Sequence, residues 1–414
     1  MKADFILNLI VFIISLDFII DLVTGILNYK NFEKKLPNNV NDIYSKEEYL
    51  KSQQYKKENF RFELITSIFT YIIIIGILLN GILGYLDSFL RTLTFENELS
   101  LSLLFFASIY LINDLLKTPF QLYRIFIIEE KYGFNKMKIS TFIFDKIKGY
   151  LISIVIGVLL ITPLLVFIML YPSDFWIYFW VVISLFLIFI NMFYTSLIVP
   201  LFNKLEVLED GDLKEKLNSY ANKVGFALSN IFVIDGSKRS TKANAYFSGF
   251  GKNKKVVLYD TLIKNHTNDE LVAVLAHEIG HYKLRHIISN MIFSILSTGL
   301  MLYIMSKFLY NSEISYALGG NISFRHFEIF AFLILYTPVD RFISILMNIK
   351  SRKNEYEADN FAVQTYKKLP MISALKKLSR DNLSNLTPHP LYEFLNYSHP
   401  SLSKRLDAIE RSEL

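Results

Sequence analysis

The chemistry begins at Ala276-His277-Glu278-Ile279-Gly280-His281. Two histidines at i and i+4 project from one face of a helix, so both imidazoles can reach a single zinc ion. Glu278 lies about 100° around the same helix, poorly placed as a ligand but able to reach a water held at the metal. That is the arrangement a metallopeptidase needs, in which the metal acidifies a water and the carboxylate removes its proton. A catalytic zinc site keeps three protein ligands and one open position, so a third ligand must come from elsewhere. Asn354-Glu355-Tyr356-Glu357-Ala358-Asp359 offers it. Glu355 and Asp359 are one helical turn apart, so one can bind metal while the other accepts the second N–H of a ligand histidine. Glu357 faces elsewhere and is the rival ligand. His286, five residues beyond His281, reads as a histidine at the membrane interface.

Each of these groups needs an element to position it. The histidines require a helix, and Asn268–Asp269 supply N-cap chemistry ahead of a run to Arg285. Upstream, residues 202–286 read as a small α/β unit: a helical stretch over 213–224, a short strand over 231–234, and two strand-like runs over 244–250 and 255–259. The last two form a hairpin across 251–254. The tail, residues 350–414, reads as largely helical. Glu355 can meet the histidines only if the chain between them returns to the same face of the membrane.

Composition supplies that membrane. Hydrophobic residues make up 52%, charged residues 20%, and the chain has no cysteine. Disulfide frameworks, thiolate zinc sites and cysteine nucleophiles are excluded. Seven apolar runs are long enough to cross about 30 Å of hydrocarbon: residues 5–27, 64–86, 99–116, 151–171, 175–201, 287–310 and 327–349. The first has no small-residue cleavage site after it and reads as an anchor. Lysines and arginines concentrate after the first, third and fifth runs and in the tail, while the intervening loops hold Arg91 and Arg325 alone. By the positive-inside rule the N-terminus is outside and the 202–286 block and tail are cytoplasmic. The net charge of +6 is spread over these loops and forms no compact basic domain, so nucleic acid is not an expected partner. Asp17, Asp21, Asn80, Asn113, Asp114, Asn191, Asn290, Asp340 and Arg341 interrupt or border the runs. They imply either interhelical hydrogen bonds or a hydrated cavity.

Other motifs carry a resemblance. Pro119-Phe120-Gln121-Leu122-Tyr123 with Ile128-Glu129-Glu130-Lys131-Tyr132-Gly133-Phe134-Asn135-Lys136, and Pro200-Leu201-Phe202-Asn203-Lys204 with Leu208-Glu209-Asp210-Gly211, stand before the zinc motif. Asn244-Ala245-Tyr246-Phe247-Ser248-Gly249-Phe250 precedes it more closely, and Ser384-Asn385-Leu386-Thr387-Pro388-His389-Pro390 with Tyr397-Ser398-His399-Pro400-Ser401-Leu402 and Arg405-Leu406 follow it. In this order the set resembles the type I CAAX prenyl protease family over nearly the whole chain. The resemblance implies a mainly α fold: a seven-transmembrane helical bundle enclosing a hydrated chamber, with a small α/β gluzincin-like zinc protease domain. It implies one Zn2+ per chain on His277, His281 and Glu355, Glu278 as general base, and Asp359 behind a ligand. His399 would donate to the developing oxyanion, Arg405 would hold a substrate carboxylate or backbone, and Asn244 would hydrogen-bond an added substrate strand.

The expected organisation is a membrane domain over 1–201, a catalytic block over 202–286, a membrane hairpin over 287–349 and a C-terminal catalytic segment over 350–414. Its partners would be membrane lipid and a peptide or protein substrate, with or without a prenyl group at its C-terminus. Codon-independent usage rich in Ile, Lys and Asn fits a prokaryotic source and hence a bacterial inner membrane; a eukaryotic source would put the chain in the endoplasmic reticulum. Two other readings stand beside this one. A quality-control zinc protease of the heat-shock membrane type suits four spans better than seven. A transporter or channel would more often show paired repeats and broken helices.

Overall fold

A computed structural model describes residues 2–32, 34–94, 97–226, 230–249 and 254–412. Long apolar helices come first: α1 (Ala3–Asn31), α2 (Lys46–Leu79), α3 (Ile82–Thr94), α4 (Glu98–Tyr123), α5 (Ile139–Leu170) and α6 (Phe175–Leu197). The apolar run over 64–86 contains a break that its composition hides. Gly81 turns the chain between α2 and α3 with φ of 61°, a left-handed conformation that glycine adopts without a Cβ clash. Pro119 lies inside α4, which passes into a π-helical turn over Arg124–Glu129. The short α7 (Val199–Phe202) then leads out of the apolar region.

A four-stranded sheet follows, in the order β1-β2-β4-β3. Its strands are β1 (Leu205–Val207), β2 (Asn230–Ile234), β3 (Ala245–Ser248) and β4 (Lys255–Tyr259), with α8 (Asp212–Lys223) between the first two. The expected hairpin is present as an antiparallel β3–β4 pair, while its turn at residues 250–253 lies outside the described residues. Two features were not anticipated: β1 pairs antiparallel with β2, and β2 runs parallel to β4. β4 is therefore covered on both faces. Val256 and Leu258 face the main core and Val257 packs with Val199 and Ile234, as a strand buried on both sides requires. β3 is one of the two edge strands, with β1 at the other side of the sheet.

After α9 (Asp260–Asn265) comes the motif helix α10 (Asn268–Lys283). Its N-cap is Thr267 rather than the expected Asn268–Asp269. Thr267 and Glu270 form a reciprocal capping box. Leu271, Val272 and Leu275 are wholly buried, each contributing about 1.5–3 kcal/mol. α11 (His286–Phe308), α12 (Ser312–Ala317), α13 (Arg325–Leu335) and α14 (Thr337–Thr365) make the return. The run over 327–349 is not one straight helix: α13 and α14 meet at 48°. Pro338 at the start of α14 supplies a fixed φ and no N–H. Among the described residues, six helices are long and apolar enough to cross a membrane, or seven if this bent pair is one span. The tail is helical as expected, with α15 (Lys368–Asp381), α16 (Pro390–Asn396) and α17 (Leu402–Arg411).

Several of the intramembrane polar residues make interhelical bonds, while Asn80 and Asn191 donate to carbonyls of their own helices. Arg341 of α14 reaches Asp17 at 2.9 Å and Asp21 at 2.5 Å on α1, and Lys146 of α5 reaches Asp114 of α4 at 2.5 Å. Asp17 and Asp21 also border a cavity of about 870 Å³ between α1, α2 and α4. The interhelical bonds match the first reading of the polar residues.

Candidate metal centre and active site

α10 and α14 pack directly on each other, and Gly280 sets how closely. A Cβ at that position would stand 3.2 Å from the Ala358 Cα and 3.2 Å from a Phe361 ring carbon, so any larger residue would force the helices apart. The approach brings the separated motifs together. His277 Nε2 and His281 Nε2 are 3.1 Å apart, and Glu355 lies 3.5 Å from the first and 3.3 Å from the second. Ligand atoms of all three fall within 4.8 Å of one another.

Two nitrogen lone pairs facing each other at this distance repel unless a proton or cation lies between them. Glu355 Oε2 is also buried without a well-directed hydrogen bond, an arrangement that costs stability unless a ligand satisfies it. The donor set of two imidazoles and one carboxylate fits zinc. Burial disfavours a charged ring at His277, yet the Asp359 and Glu355 carboxylates outweigh it and push its pKa up to about 10. The same carboxylates favour a metal cation in that place. Glu278 lies beside the triad, where burial raises its pKa and the two histidines pull it back.

Behind the triad, Asp359 Oδ1 stands 2.9 Å from His277 Nδ1, where it can accept that N–H. The Arg405 guanidinium of α17 donates to both Asp359 oxygens, from Nε at 2.8 Å and from Nη2 at 2.6 Å, while Nη1 is 3.3 Å from Glu355 Oε2. His399 is largely exposed to the cavity. Its Nε2 lies 3.3 Å from Glu355 Oε1 and its Nδ1 lies 2.9 Å from Ser398 Oγ. Asn244 is exposed at the entry to β3 and borders the same cavity, of about 530 Å³, as His277, Glu278 and Glu355.

Residues 25–204 match the family described as "CAAX prenyl protease N-terminal, five membrane helices", and residues 207–413 match "Peptidase family M48". The chain belongs to peptidase family M48. Members are zinc metalloproteases, and this M48 chain is a membrane metalloendopeptidase. It is 37% identical to a CAAX prenyl protease 1 homolog of Arabidopsis thaliana over 91% of this chain and 90% of the relative. It is 32% identical to CAAX prenyl protease 1 of Saccharomyces cerevisiae, covering 93% and 91%. The crystal structure of S. mikatae Ste24p superposes with a TM-score of 0.92 at 33% identity over 98% of both chains.

Against the M48 frame, two positions differ from the sequence reading. His286 is not a simple interface residue. It is 5% exposed, with Nδ1 3.0 Å from His281 Nδ1 and Nε2 2.9 Å from Glu357. The rival ligand Glu357 therefore supports His281 through His286 instead of joining the triad. Arg405 is the second. The fork expected to grip a substrate carboxylate is already closed on Asp359, so gripping a substrate would require breaking a buried ion pair. Glu270 was missed altogether. Buried at the start of α10, it accepts from Lys377 at 2.7 Å and from the Thr267 N–H at 2.8 Å, which ties α10 to α15.

Proposed function

We propose that this M48 protease cuts a peptide bond close to the C-terminus of a prenylated protein, with His277, His281 and Glu355 as the zinc ligands. The observation that carries this reading is that His277, Glu355 and Glu278 border one cavity together with Asn244 and Ala245, where the edge strand β3 begins. Zinc, when bound there, supplies electrophilic polarisation of the scissile carbonyl and acidification of water. The chain supplies the rest. An extended substrate adds to the edge of β3 through backbone hydrogen bonds, with Asn244 at its entry. Glu278 takes the proton of the attacking water and passes it to the leaving amine. His399, whose ring borders the cavity beside Glu355, donates to the oxygen that gains charge. Asp359 fixes the His277 ring and tautomer, and Arg405 holds Asp359; we assign Arg405 to positioning rather than to substrate.

The chain would cross the membrane seven times, counting α13 and α14 as one bent span, and enclose a hydrated chamber that includes the cavity beside Asp17 and Asp21. Its organisation would be a membrane domain over 1–201, a catalytic block over 202–286, a hairpin over 287–349 and a catalytic segment over 350–414, with one Zn2+ per chain. The catalytic segments would face the cytoplasm of a bacterial inner membrane or of the endoplasmic reticulum. The likeness to CAAX prenyl protease 1 of yeast and its plant homolog, and the basic loops, support this reading. The test is cleavage of a farnesylated C-terminal peptide by purified protein. Activity should vanish with a chelator, return with zinc, and be lost in Glu278→Gln. Equal turnover of the unprenylated peptide would favour the quality-control reading.

A further inference from the structure

Arg405 leaves a question behind. An endopeptidase that cuts a few residues from a chain end must distinguish that end from any internal segment, and a terminus differs by its carboxylate, which is ionised at neutral pH. Of the lysines and arginines lining the zinc-site cavity, Arg405 is closed on Asp359, and the other is Lys56 of α2. Lys56 pairs with no carboxylate among the described residues, although charged neighbours surround it. Glu129 is taken by Lys242 at 2.8 Å and by the Tyr55 hydroxyl at 2.7 Å. Glu63 faces Arg124 at 3.5 Å. Each nearby acid thus has a closer cation, and Lys56 is left on the cavity wall without an ion-pair partner among the described residues, its ammonium 5.4 Å from the Tyr55 ring centroid. Such a charge is stabilised by an incoming anion.

The position suits a terminus. The cavity is lined by His277, Glu278 and Asn244, by the apolar Leu262, Leu375 and Leu378, and by Lys56. Its volume of about 530 Å³ is within the range of sites for small ligands, enough for a short peptide end. Lys56 also borders the larger cavity between α1, α2 and α4, so it stands where the two meet. A lysine is a point charge on a flexible stem and accepts a carboxylate over a range of approach angles. That tolerance suits substrates whose terminal residues vary.

We propose that Lys56 is the specificity residue that holds the free C-terminal carboxylate of the substrate. The proposal rests on the cleavage reading above, so its test is built to fail separately. Binding is measured on zinc-loaded Glu278→Gln, which turns nothing over, with one fluorescent farnesylated peptide made as the free acid and as the C-terminal amide. The free acid should bind about ten- to a hundredfold tighter, the range for a hydrogen bond between charged groups. Adding Lys56→Met or Lys56→Gln should bring the ratio to within about twofold, and Lys56→Arg should restore most of it. In the enzyme with Glu278 intact, Lys56→Met should raise KM for the free acid far more than it lowers kcat. Zinc content confirms that the variants are folded. An unchanged free-acid preference in both Lys56→Met and Lys56→Gln, or no preference in the parent, overturns the proposal. Failure of the intact enzyme to cleave either peptide, with the binding ratio present, would instead overturn the cleavage reading.

Discussion

Asp359 is where metal affinity and folding meet, and Asp359→Asn separates them. The side chain is 1% exposed and serves two partners, His277 Nδ1 at 2.9 Å and the Arg405 fork at 2.6 and 2.8 Å. An asparagine oxygen can still accept from the imidazole, but its NH2 would face the guanidinium donor against donor. Arg405 would then turn towards Glu355, already 3.3 Å away, and compete with the metal for that carboxylate. Losing the partner behind a ligand histidine typically weakens metal binding by about ten- to a hundredfold, or about 1.4–2.8 kcal/mol. Asp359→Leu should cost more, about 3–5 kcal/mol of fold stability, because it strands a buried guanidinium. Removing both charges, in Asp359→Leu with Arg405→Met, should therefore cost less stability than Asp359→Leu alone. Zinc retention against graded chelator reads the first effect, and thermal unfolding of the metal-free protein in detergent reads the second. The reasoning fails if Asp359→Asn holds zinc along the same curve as the unsubstituted chain, or if Arg405→Met rescues nothing.

Three further outcomes are expected. Glu355→Ala should lose zinc while Glu357→Ala, removed from the triad by His286, keeps most of it; metal analysis showing the reverse would exchange their roles. Burial raises the Glu270 pKa, but bonds from Lys377, Ser373 and the Thr267 N–H outweigh it and hold it at about 2. Its contribution, about 3 kcal/mol, is thus complete above pH 4.5, the ordinary value, and fades as pH falls towards 2. The stability gap between the unsubstituted protein and Glu270→Gln, measured by unfolding at a series of pH values, should close over that window, and a gap that persists at pH 2 would refute the assignment. Single cysteines placed at Asp210 or Asp381 should resist an impermeant thiol reagent in intact cells while one at Asn311 reacts, and labelling at Asp210 would invert the orientation.

The triad could be read from spacing because a helix converts i and i+4 into one face, and the second motif lay one apolar hairpin away. His286 was misread for a definite reason. Extending α10 to Arg285 rotates residue 286 off the histidine face, but the helix ends at Lys283 and Arg285 takes a left-handed φ of 60°. That turn brings His286 back to His281. Arg405 could be placed near the site but not given a partner, since Asp359 is on a different helix and either charge alone looks solvated. The apolar runs marked the membrane helices well. They did not show the turn at Gly81 or the bend before Pro338, because hydropathy averages over the single residues that break a helix. β1 is three residues long and carries no alternation to detect.

The division of the ligands between α10 and α14 has a consequence for biosynthesis. A chain is made from its N-terminus, so His277, His281 and Glu278 are synthesised after β3 and well before Glu355. A nascent or prematurely terminated chain therefore carries a base and two donors but cannot complete the triad. Asp359 follows Glu355 by one turn, and its counter-charge Arg405 is close to the end of the sequence. A chain that stops before α14 therefore lacks Glu355 and Asp359, and one that stops before α17 lacks the guanidinium that Asp359 faces.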